Sequence, residues 1–232
     1  MFYRTDQLDI ARTLKSEWQN IRDEFVRRFD ERDAVLWPQP FVYTKEWKLV
    51  PLLDRGRMAQ HGVAGIDKEL ERNQRNFPVT VEVMNRLPGL VTAGFSRLAP
   101  GTRIHPHKGI DHTVLRCHLG LVVPPGCTLH VHGVQREWED RCVWLFDDTY
   151  AHEVWSDSDQ PRVVLIMDFN RTDLEKLAGQ PLENLLIPRT PEEIERGDEL
   201  ERRSEQWQEK YAEKQPAPDW EKIFDYDVDE KS

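Results

Sequence analysis

The sequence has few cysteines: it contains three in 232 residues, and no CxxC pair among them. An odd number without that spacing gives neither a disulfide framework nor a zinc knuckle, so a reducing compartment is the simplest expectation. The N-terminal residues lack the basic and apolar regions of a signal peptide, and no apolar run approaches the ~18 residues that cross a bilayer. We therefore expect a soluble, cytoplasmic protein that has no membrane partner.

Positive charge is also scarce. The chain has 32 lysines and arginines against 42 aspartates and glutamates, and its formal net charge is -10. Proteins that bind nucleic acid present a basic face, so a nucleic-acid partner is not expected. The length of 232 residues is sufficient for one large β domain with helical additions.

Helical patterns lie mainly towards the two ends of the chain. Apolar residues recur at three- and four-residue steps between residues 6 and 29, which predicts an amphipathic helix. The stretch Thr190-Pro191-Glu192-Glu193 is a capping box with proline at the first helical position, and it predicts the start of a charged helix of about twenty residues. A short helix is predicted at 67–73 within a polar loop, whereas residues 78–87 suit either a strand or a helix.

Between these ends the pattern changes to a period of two. A short edge strand is predicted at 46–53, and turn residues separate further β-rich runs at 90–98, 113–123, 128–132, 135–138, 142–146 and 162–168. Short strands with no room for helices between them indicate a sandwich or barrel. The predicted fold class is mainly β with flanking α-helices. We place one domain at 1–175, with its β core at 90–169, and a helical extension and polar tail at 176–232 packed on the same domain.

Histidine, in contrast, is concentrated in one segment. Seven of the eight histidines lie within residues 94–169, namely His105, His107, His112, His118, His130, His132 and His152. Neutral imidazole is a good ligand for iron, zinc, copper and nickel. A single histidine in a strand is more often a surface residue or a hydrogen-bonded core residue, so spacing has to identify any ligands.

Two of these histidines and one arginine have a spacing that suits a metal site in a barrel. His152 follows His107 by 45 positions, which fits three or four intervening strands and returns the chain to a neighbouring position. Arg162 opens an otherwise apolar strand, where a buried guanidinium is costly unless it binds an anion. A dicarboxylate would supply that anion through a bidentate contact.

Six motifs in this region resemble, in their order and spacing, the aspartyl/asparaginyl β-hydroxylase family, a branch of the iron(II)- and 2-oxoglutarate-dependent oxygenases. They are Pro100-Gly101-Thr102, Pro106-His107-x-Gly109, Leu115-Arg116-x-His118-Leu119-Gly120-Leu121, Phe146-Asp147-Asp148, His152-Glu153-Val154-Trp155 and Arg162. The resemblance is dense from about Ser96 to Asp168 and thin elsewhere. It implies a jelly-roll oxygenase domain, a cupin-like double-stranded β-helix, and it favours a helix at 78–87.

The resemblance implies that His107 and His152 bind iron as Fe(II). The acid of the usual facial triad stands two residues after the first histidine, and this sequence has Gly109 at that position. Animal members of the family share this feature and use water instead. The resemblance therefore still implies catalysis, with weaker iron binding.

The same resemblance implies how the cosubstrate is held. Ser96 and Arg162 would bind the distal carboxylate of 2-oxoglutarate, and His118 would assist. Arg116 would contact a carboxylate of the substrate or cosubstrate. The implied reaction hydroxylates an unactivated C–H bond with O2 while 2-oxoglutarate is converted to succinate. We expect the target to be the β-carbon of an Asp/Asn-like or other carboxylate-bearing small molecule or peptide.

Two polar residues near the first histidine leave alternatives open. His105 stands where family members have an aromatic residue, and Asp111 follows four positions after His107. Residues two apart in a strand share a face, so His105 and His107 could both be ligands, although Pro106 weakens the regular strand. With His152 these residues imitate the ligand set of cupin metalloenzymes. The alternatives are a cupin-type metalloenzyme that does not use 2-oxoglutarate, and a non-catalytic jelly-roll binding protein.

The other polar and aromatic residues of the segment are expected to support the structure and not to bind the metal. Asp147 and Asp148 are expected to shape the turn before His152 and to form hydrogen bonds near the metal. His130 and His132 are expected to line the cavity mouth or to be exposed. The tryptophans expected in the core are Trp138, Trp144 and Trp155.

Overall fold

The computed structural model describes residues 1–56 and 67–212, and antiparallel β-structure forms its centre. The strands are β1 (Phe2–Tyr3), β2 (Val35–Leu36), β3 (Trp47–Asp54), β4 (Leu90–Leu98), β5 (Arg103–His107), β6 (Val114–Val122), β7 (Cys127–Val131), β8 (Val134–Glu137), β9 (Val143–Phe146), β10 (His152–Ser156) and β11 (Arg162–Asn170). Within the described residues they form a large sheet in the order β1-β9-β6-β11-β4-β3-β2 and a small sheet in the order β5-β10-β7-β8.

Helices flank the two sheets. In the described residues they are α1 (Asp9–Arg28), α2 (Asp67–Asn76), α3 (Pro78–Asn85), α4 (Arg171–Ala178) and α5 (Pro191–Ala212). Helices α1 and α3 pack on the outer face of the large sheet, where Phe25 and Val83 share a core with Leu165. None of the helices in the described residues has the length and apolar character to cross a bilayer.

The two sheets face each other and enclose a second core. Successive side chains of a strand point to opposite faces. Leu165 of β11 therefore points to the helices, whereas Val164 packs with Leu129 and Val154 of the small sheet. This architecture is a double-stranded β-helix with flanking helices, and it confirms the predicted fold class.

The sequence pattern predicts most of these elements. The helix expected at 6–29 is α1, which begins three residues later and ends one residue earlier. The six β-rich runs are β4, β6, β7, β8, β9 and β11, and the ends of these strands differ from the predicted ones by at most two residues. The strand expected at 46–53 is β3, but its predicted edge position is wrong because β2 pairs with its outer side. The loop predicted before α2 and the polar tail predicted at 215–232 lie outside the described residues.

The pattern does not predict β5 and β10, although these strands carry His107 and His152. β5 contains Pro106, which has no N–H to donate to a ladder. The register between the two strands is irregular, because His152 lies opposite His107 whereas Val154 lies opposite Ile104. The extra residue in β5 is a β-bulge, and it changes which face the side chains on either side of it occupy.

Helix α5 begins at the predicted capping box. The N–H of Thr190 donates to the Glu193 carboxylate at 2.8 Å, and the N–H of Glu193 donates to the Thr190 hydroxyl at 3.2 Å. Leu200 of this helix is buried, whereas Ile194 is exposed. The helix meets the small sheet and its turns largely through polar side chains.

A buried carboxylate from α1 caps the N-terminus of α3. Glu24 is 1% exposed and accepts hydrogen bonds from the backbone N–H groups of Val79 and Thr80 at 2.9 and 2.8 Å. The Thr80 hydroxyl donates to the same carboxylate at 2.7 Å. The first turn of a helix leaves its N–H groups without partners inside the helix, so Glu24 supplies the acceptors that they lack.

We expect Glu24→Ala to lower the free energy of unfolding by about 2–3 kcal/mol, because it leaves buried donors without an acceptor. Glu71→Ala on α2 is the control, since that side chain is 73% exposed. The control should change the free energy of unfolding by less than about 0.5 kcal/mol. Urea unfolding measures both values, and equal effects would contradict a capping role for Glu24.

Candidate active site

The small sheet brings two histidines side by side. His107 ends β5, His152 begins β10, and the two residues lie opposite each other in adjacent antiparallel strands. Their ring centroids are 4.1 Å apart. The ring of His152 is also 6.2 Å from that of Phe146 on the large sheet. The pair therefore faces the space between the two sheets.

Backbone carbonyl groups fix the orientation of both rings. Nδ1 of His107 is 2.8 Å from the carbonyl oxygen of His105, and Nδ1 of His152 is 3.0 Å from that of Tyr150. A carbonyl oxygen only accepts, so each Nδ1 carries the proton and each Nε2 keeps its lone pair. Burial lowers the pKa of His107 to about 3 and that of His152 to about 4, so both rings are neutral. Such a pair suits a metal ion.

His105 and Asp111 do not join this pair. The bulge places His105 on the outer face of the small sheet, where its ring stacks on Trp207 of α5 with centroids 3.8 Å apart. The prediction that His105 and His107 share a face is therefore wrong. Asp111 instead accepts hydrogen bonds from the N–H and hydroxyl of Thr113 at 2.8 and 2.6 Å. Among the described residues, no group of three or more histidine, cysteine or acidic side chains is placed to hold a metal ion, so the cupin ligand set is not assembled.

A buried arginine on the large sheet has no carboxylate partner in the described part of the chain. Arg162 is 1% exposed, its Nη1 lies 3.5 Å from the Ser96 carbonyl oxygen, and its guanidinium lies over the Trp138 ring at 4.6 Å. Its Nε has no hydrogen-bond partner among the described residues. Burial lowers the pKa of Arg162 to about 10. A buried cation in this state is destabilising unless an anion binds to it.

His118 and Ser96 border the same space. The ring of His118 stacks on Trp138 with centroids 5.8 Å apart, and neither of its nitrogens has a hydrogen-bond partner among the described residues. Burial, aided by the charge of Arg162, holds the pKa of His118 well below its usual value. The Ser96 hydroxyl accepts a 2.9 Å hydrogen bond from the indole N–H of Trp47, so its own proton can be donated. The donors of Arg162, His118 and Ser96 together fit an anionic ligand such as a dicarboxylate.

Arg116 is paired with two carboxylates of the chain itself. Its guanidinium contacts Asp168 at 3.0 and 3.2 Å and Asp148 at 2.8 Å. Burial opposes the charge, but the two carboxylates outweigh this effect and raise the pKa of Arg116 above its usual value. The Thr92 hydroxyl donates to Asp168 at 2.9 Å. Sequence reasoning assigns Arg116 to an external carboxylate and misses these partners, one of which lies 52 positions away in the chain.

Asp148 fills the space beside Gly109, where the facial-triad acid would begin. A Cβ on Gly109 would lie 2.6 Å from the carboxylate carbon of Asp148, which is closer than two such atoms approach. Asp148 is 2% exposed, and its charge acts on the ring of His107. The space that an acid at position 109 would need is therefore occupied by Asp148, from the turn after β9, whose carboxylate pairs with Arg116.

Restoring the missing acid by Gly109→Asp is expected to damage the site. The new Cβ would displace Asp148 from Arg116, and overpacking of this kind lowers the free energy of unfolding by about 1–3 kcal/mol. Chemical unfolding and metal titration measure the effect. The double variant Gly109→Asp with Asp148→Gly should recover part of the loss, because the two side chains compete for one space. Tighter metal binding by the single variant, at unchanged stability, would contradict this account.

The turn before the second histidine is held by Asp147, which has the role predicted for it. Its carboxylate accepts hydrogen bonds from the N–H and hydroxyl of Thr149 at 3.0 and 2.7 Å. It also pairs with Arg171, at the start of α4. These contacts set the path of the chain into β10.

The remaining predicted residues divide between the two faces of the small sheet. Trp138 is buried as expected, but its ring lies under the guanidinium of Arg162 and so belongs to the site. His130 lies beside Trp155, with ring centroids 4.2 Å apart, on the face that carries α5. His132 is 9% exposed and lines a surface pocket. Neither of these two histidines reaches the pair described above.

A groove extends from Arg116 along the inner face of the large sheet. Its apolar lining consists mainly of Trp37, Leu49, Pro51, Leu53, Leu70 and Ile166. The ion pair between Arg116 and Asp168 and the hydroxyl of Thr92 give one part of it a polar surface. A ligand in this groove would meet both apolar walls and a pair of opposite charges.

Comparison with known proteins gives consistent matches. The family model described as aspartyl/asparaginyl beta-hydroxylase matches residues 15–172. The chain is 30% identical over 167 residues to an aspartyl/asparaginyl beta-hydroxylase from Homo sapiens, which covers 71% of this chain and 21% of that protein. It is 38% identical over 108 residues to an ornithine lipid ester-linked acyl 2-hydroxylase from Rhizobium tropici, which covers 45% of this chain and 38% of that protein.

Among solved structures, a prolyl-4-hydroxylase from Pseudomonas putida is similar, with a TM-score of 0.39 and 19% sequence identity. That match covers 70% of this chain and 86% of the other. The chain spans well under half the length of the two relatives that it matches in sequence.

Proposed function

Because the chain belongs to the aspartyl/asparaginyl β-hydroxylase family, we propose that it is an oxygenase that depends on iron(II) and 2-oxoglutarate and hydroxylates an unactivated C–H bond. The observation that carries this proposal is the buried guanidinium of Arg162, which has no carboxylate partner in the described residues. A buried cation of this kind is destabilising unless an anion binds to it. A dicarboxylate cosubstrate is such an anion.

The metal would be held by Nε2 of His107 and of His152. With these two ligands, the metal would remain open to the cosubstrate. When bound, iron supplies the oxidation of the C–H bond by O2, at the expense of 2-oxoglutarate, which leaves as succinate and carbon dioxide. The backbone carbonyls that accept from each Nδ1 keep both rings in the tautomer that binds metal.

The cosubstrate would be held by residues of the large sheet. Arg162 would bind the distal carboxylate of 2-oxoglutarate through a bidentate contact, and the Ser96 hydroxyl would donate to the same group. His118 would donate one hydrogen bond from its neutral ring. Trp138 and Phe146 border the ring of His118 and limit the access of water, which strengthens these charged contacts.

We propose a carboxylate-bearing small molecule or peptide as the substrate, with the β-carbon of an Asp/Asn-like group as the site of hydroxylation. The groove beside Arg116 supports this choice, because the carboxylate of such a substrate can compete for Arg116 while its ammonium or amide group faces Asp168. By their names, one of the two relatives hydroxylates aspartyl or asparaginyl groups and the other hydroxylates an ester-linked acyl chain. Because the walls of the groove are apolar, acyl compounds should be tested beside carboxylate-bearing substrates.

The test of this function is the absorption of the protein with iron(II) and 2-oxoglutarate under anaerobic conditions, followed by a screen for succinate release. A metal-to-ligand charge-transfer band that requires both additions is expected. Succinate should then form with a member of a panel of amino acids, peptides and acyl compounds. A folded protein that binds iron and yields no such band with 2-oxoglutarate would contradict the proposal and favour a metalloenzyme of another type.

A further inference from the structure

Helix α5 crosses the outer face of the small sheet, beyond the family match, which ends at residue 172. Its Arg196 donates to the carbonyl of Gly133 at 3.2 Å, and a Cβ on Gly133 would lie 1.9 Å from the helix backbone. Arg203 makes a bidentate contact of 3.1 and 2.8 Å with Glu153, which is 3% exposed. Since Glu153 directly follows His152, the helix is fixed to the strand that carries the second histidine.

Glu201 of this helix binds the peptide group that orients the second histidine. Its carboxylate accepts a 2.8 Å hydrogen bond from the N–H of Ala151. That N–H belongs to the same peptide group as the carbonyl of Tyr150, which accepts from Nδ1 of His152 at 3.0 Å. Because a peptide group is planar, a fixed N–H also fixes the carbonyl on its other side and, through it, the imidazole ring.

The strand of the first histidine is attached to the same helix. Lys108, which follows His107, pairs with Glu201. Trp207 stacks on His105, whose carbonyl orients His107. Burial opposes the ionisation of Glu201, but Lys108 and the bound backbone N–H hold its pKa below the usual value. The group is therefore a carboxylate, and a charged acceptor makes the stronger hydrogen bond.

We propose that Glu201 is a positioning residue for the metal centre, because through the 150–151 peptide it holds the ring of His152 with Nε2 towards the metal ion. This inference rests on the proposed function and gives α5 a part in the site. Among the residues that the structure describes, no third metal-binding side chain joins the two histidines to compensate for a loosely held ring. Hydrogen-bond partners behind a metal ligand contribute ten- to hundredfold to metal affinity, and with one peptide group interposed we expect about tenfold.

The test is a titration of the intact chain with Co(II), followed by visible absorption. Glu201→Ala is expected to weaken Co(II) binding about tenfold. Glu201→Gln keeps an oxygen acceptor for the Ala151 N–H and should restore most of the affinity. Glu205→Ala is the matched control, because Glu205 lies one turn further along α5 and 3.7 Å from Lys108. Glu205 has no contact with the 150–151 peptide group, so the Co(II) affinity of Glu205→Ala should stay within about twofold of that of the wild type.

Two further measurements separate positioning from a purely structural role. If Glu201→Ala lowers the midpoint of thermal unfolding but leaves Co(II) affinity unchanged, the proposal is overturned. Nitrogen NMR of labelled histidines in the metal-free protein reports the tautomer of His152, which should be protonated at Nδ1 alone in the wild type. A mixture of tautomers in Glu201→Ala supports the proposal, and an unchanged spectrum overturns it. A wild type that binds no Co(II) contradicts the proposed function, and the NMR result then decides the positioning role.

Discussion

Replacing His107 with alanine is expected to remove metal binding and, with it, all turnover. The rings of His107 and His152 lie 4.1 Å apart, and no third metal-binding side chain joins them in the described residues. Loss of a hydrogen-bond partner behind a ligand weakens binding ten- to hundredfold, so loss of one of two ligands should weaken it by more than about a hundredfold. An anaerobic titration with iron(II) in the presence of 2-oxoglutarate measures the loss, because the absorption band requires both.

His105→Ala is the matched control, since it removes an imidazole from the same strand two residues away. His105 lies on the outer face of the small sheet against Trp207, and its carbonyl, which orients His107, remains in the variant. Iron affinity should therefore stay within about twofold of the wild type. A loss as complete as that of His107→Ala would show that His105 is a ligand. The site would then be of the cupin type, and the two-histidine site would be contradicted.

The contrast between these two histidines shows what the sequence can and cannot predict about the fold. β4, β6 and β11 are apolar, β-rich runs. Proline or glycine turns border both ends of β4, the end of β6 and the start of β11, so these strands are visible in the sequence. β5 is a short strand that contains Pro106, and its bulge adds one residue opposite β10. The bulge is determined by how two distant strands pair, and local periodicity does not record it.

The same limit applies to the charges around the site. Spacing and the family motifs are sufficient to predict the histidine pair and the buried Arg162. The partners of Arg116 depend on the register of β6 and β11, in which Asp168 lies opposite Arg116. Register follows from the packing of the whole sheet, not from neighbours in sequence. The contact of Glu201 with the 150–151 peptide likewise joins segments 50 positions apart, and no local sequence pattern predicts it.

Arg162→Met is expected to abolish cosubstrate binding without lowering the stability of the ligand-free protein. Methionine is unbranched, flexible and uncharged, so it fills much of the space left by the arginine while removing an uncompensated buried cation. The stacking of Arg162 on Trp138 offsets part of the cost of burying that cation. The free energy of unfolding should therefore be unchanged or raised, by up to about 2 kcal/mol. The KM for 2-oxoglutarate should rise at least about thirtyfold, because a buried charged contact contributes about 2–5 kcal/mol.

Arg97→Met is the control that distinguishes an unpaired arginine from a paired one. Arg97 lies on β4 next to Ser96 and pairs with Glu46 at 3.1 Å and Glu31 at 3.6 Å. Its replacement should lower the free energy of unfolding slightly, by less than about 1 kcal/mol, and should leave the KM unchanged. Thermal unfolding with and without 2-oxoglutarate completes the measurement: the cosubstrate should raise the midpoint of the wild type and of Arg97→Met, and should not raise that of Arg162→Met. If Arg162→Met were clearly destabilised and still responded to 2-oxoglutarate, the guanidinium would be a structural group, and the cosubstrate would have to bind elsewhere.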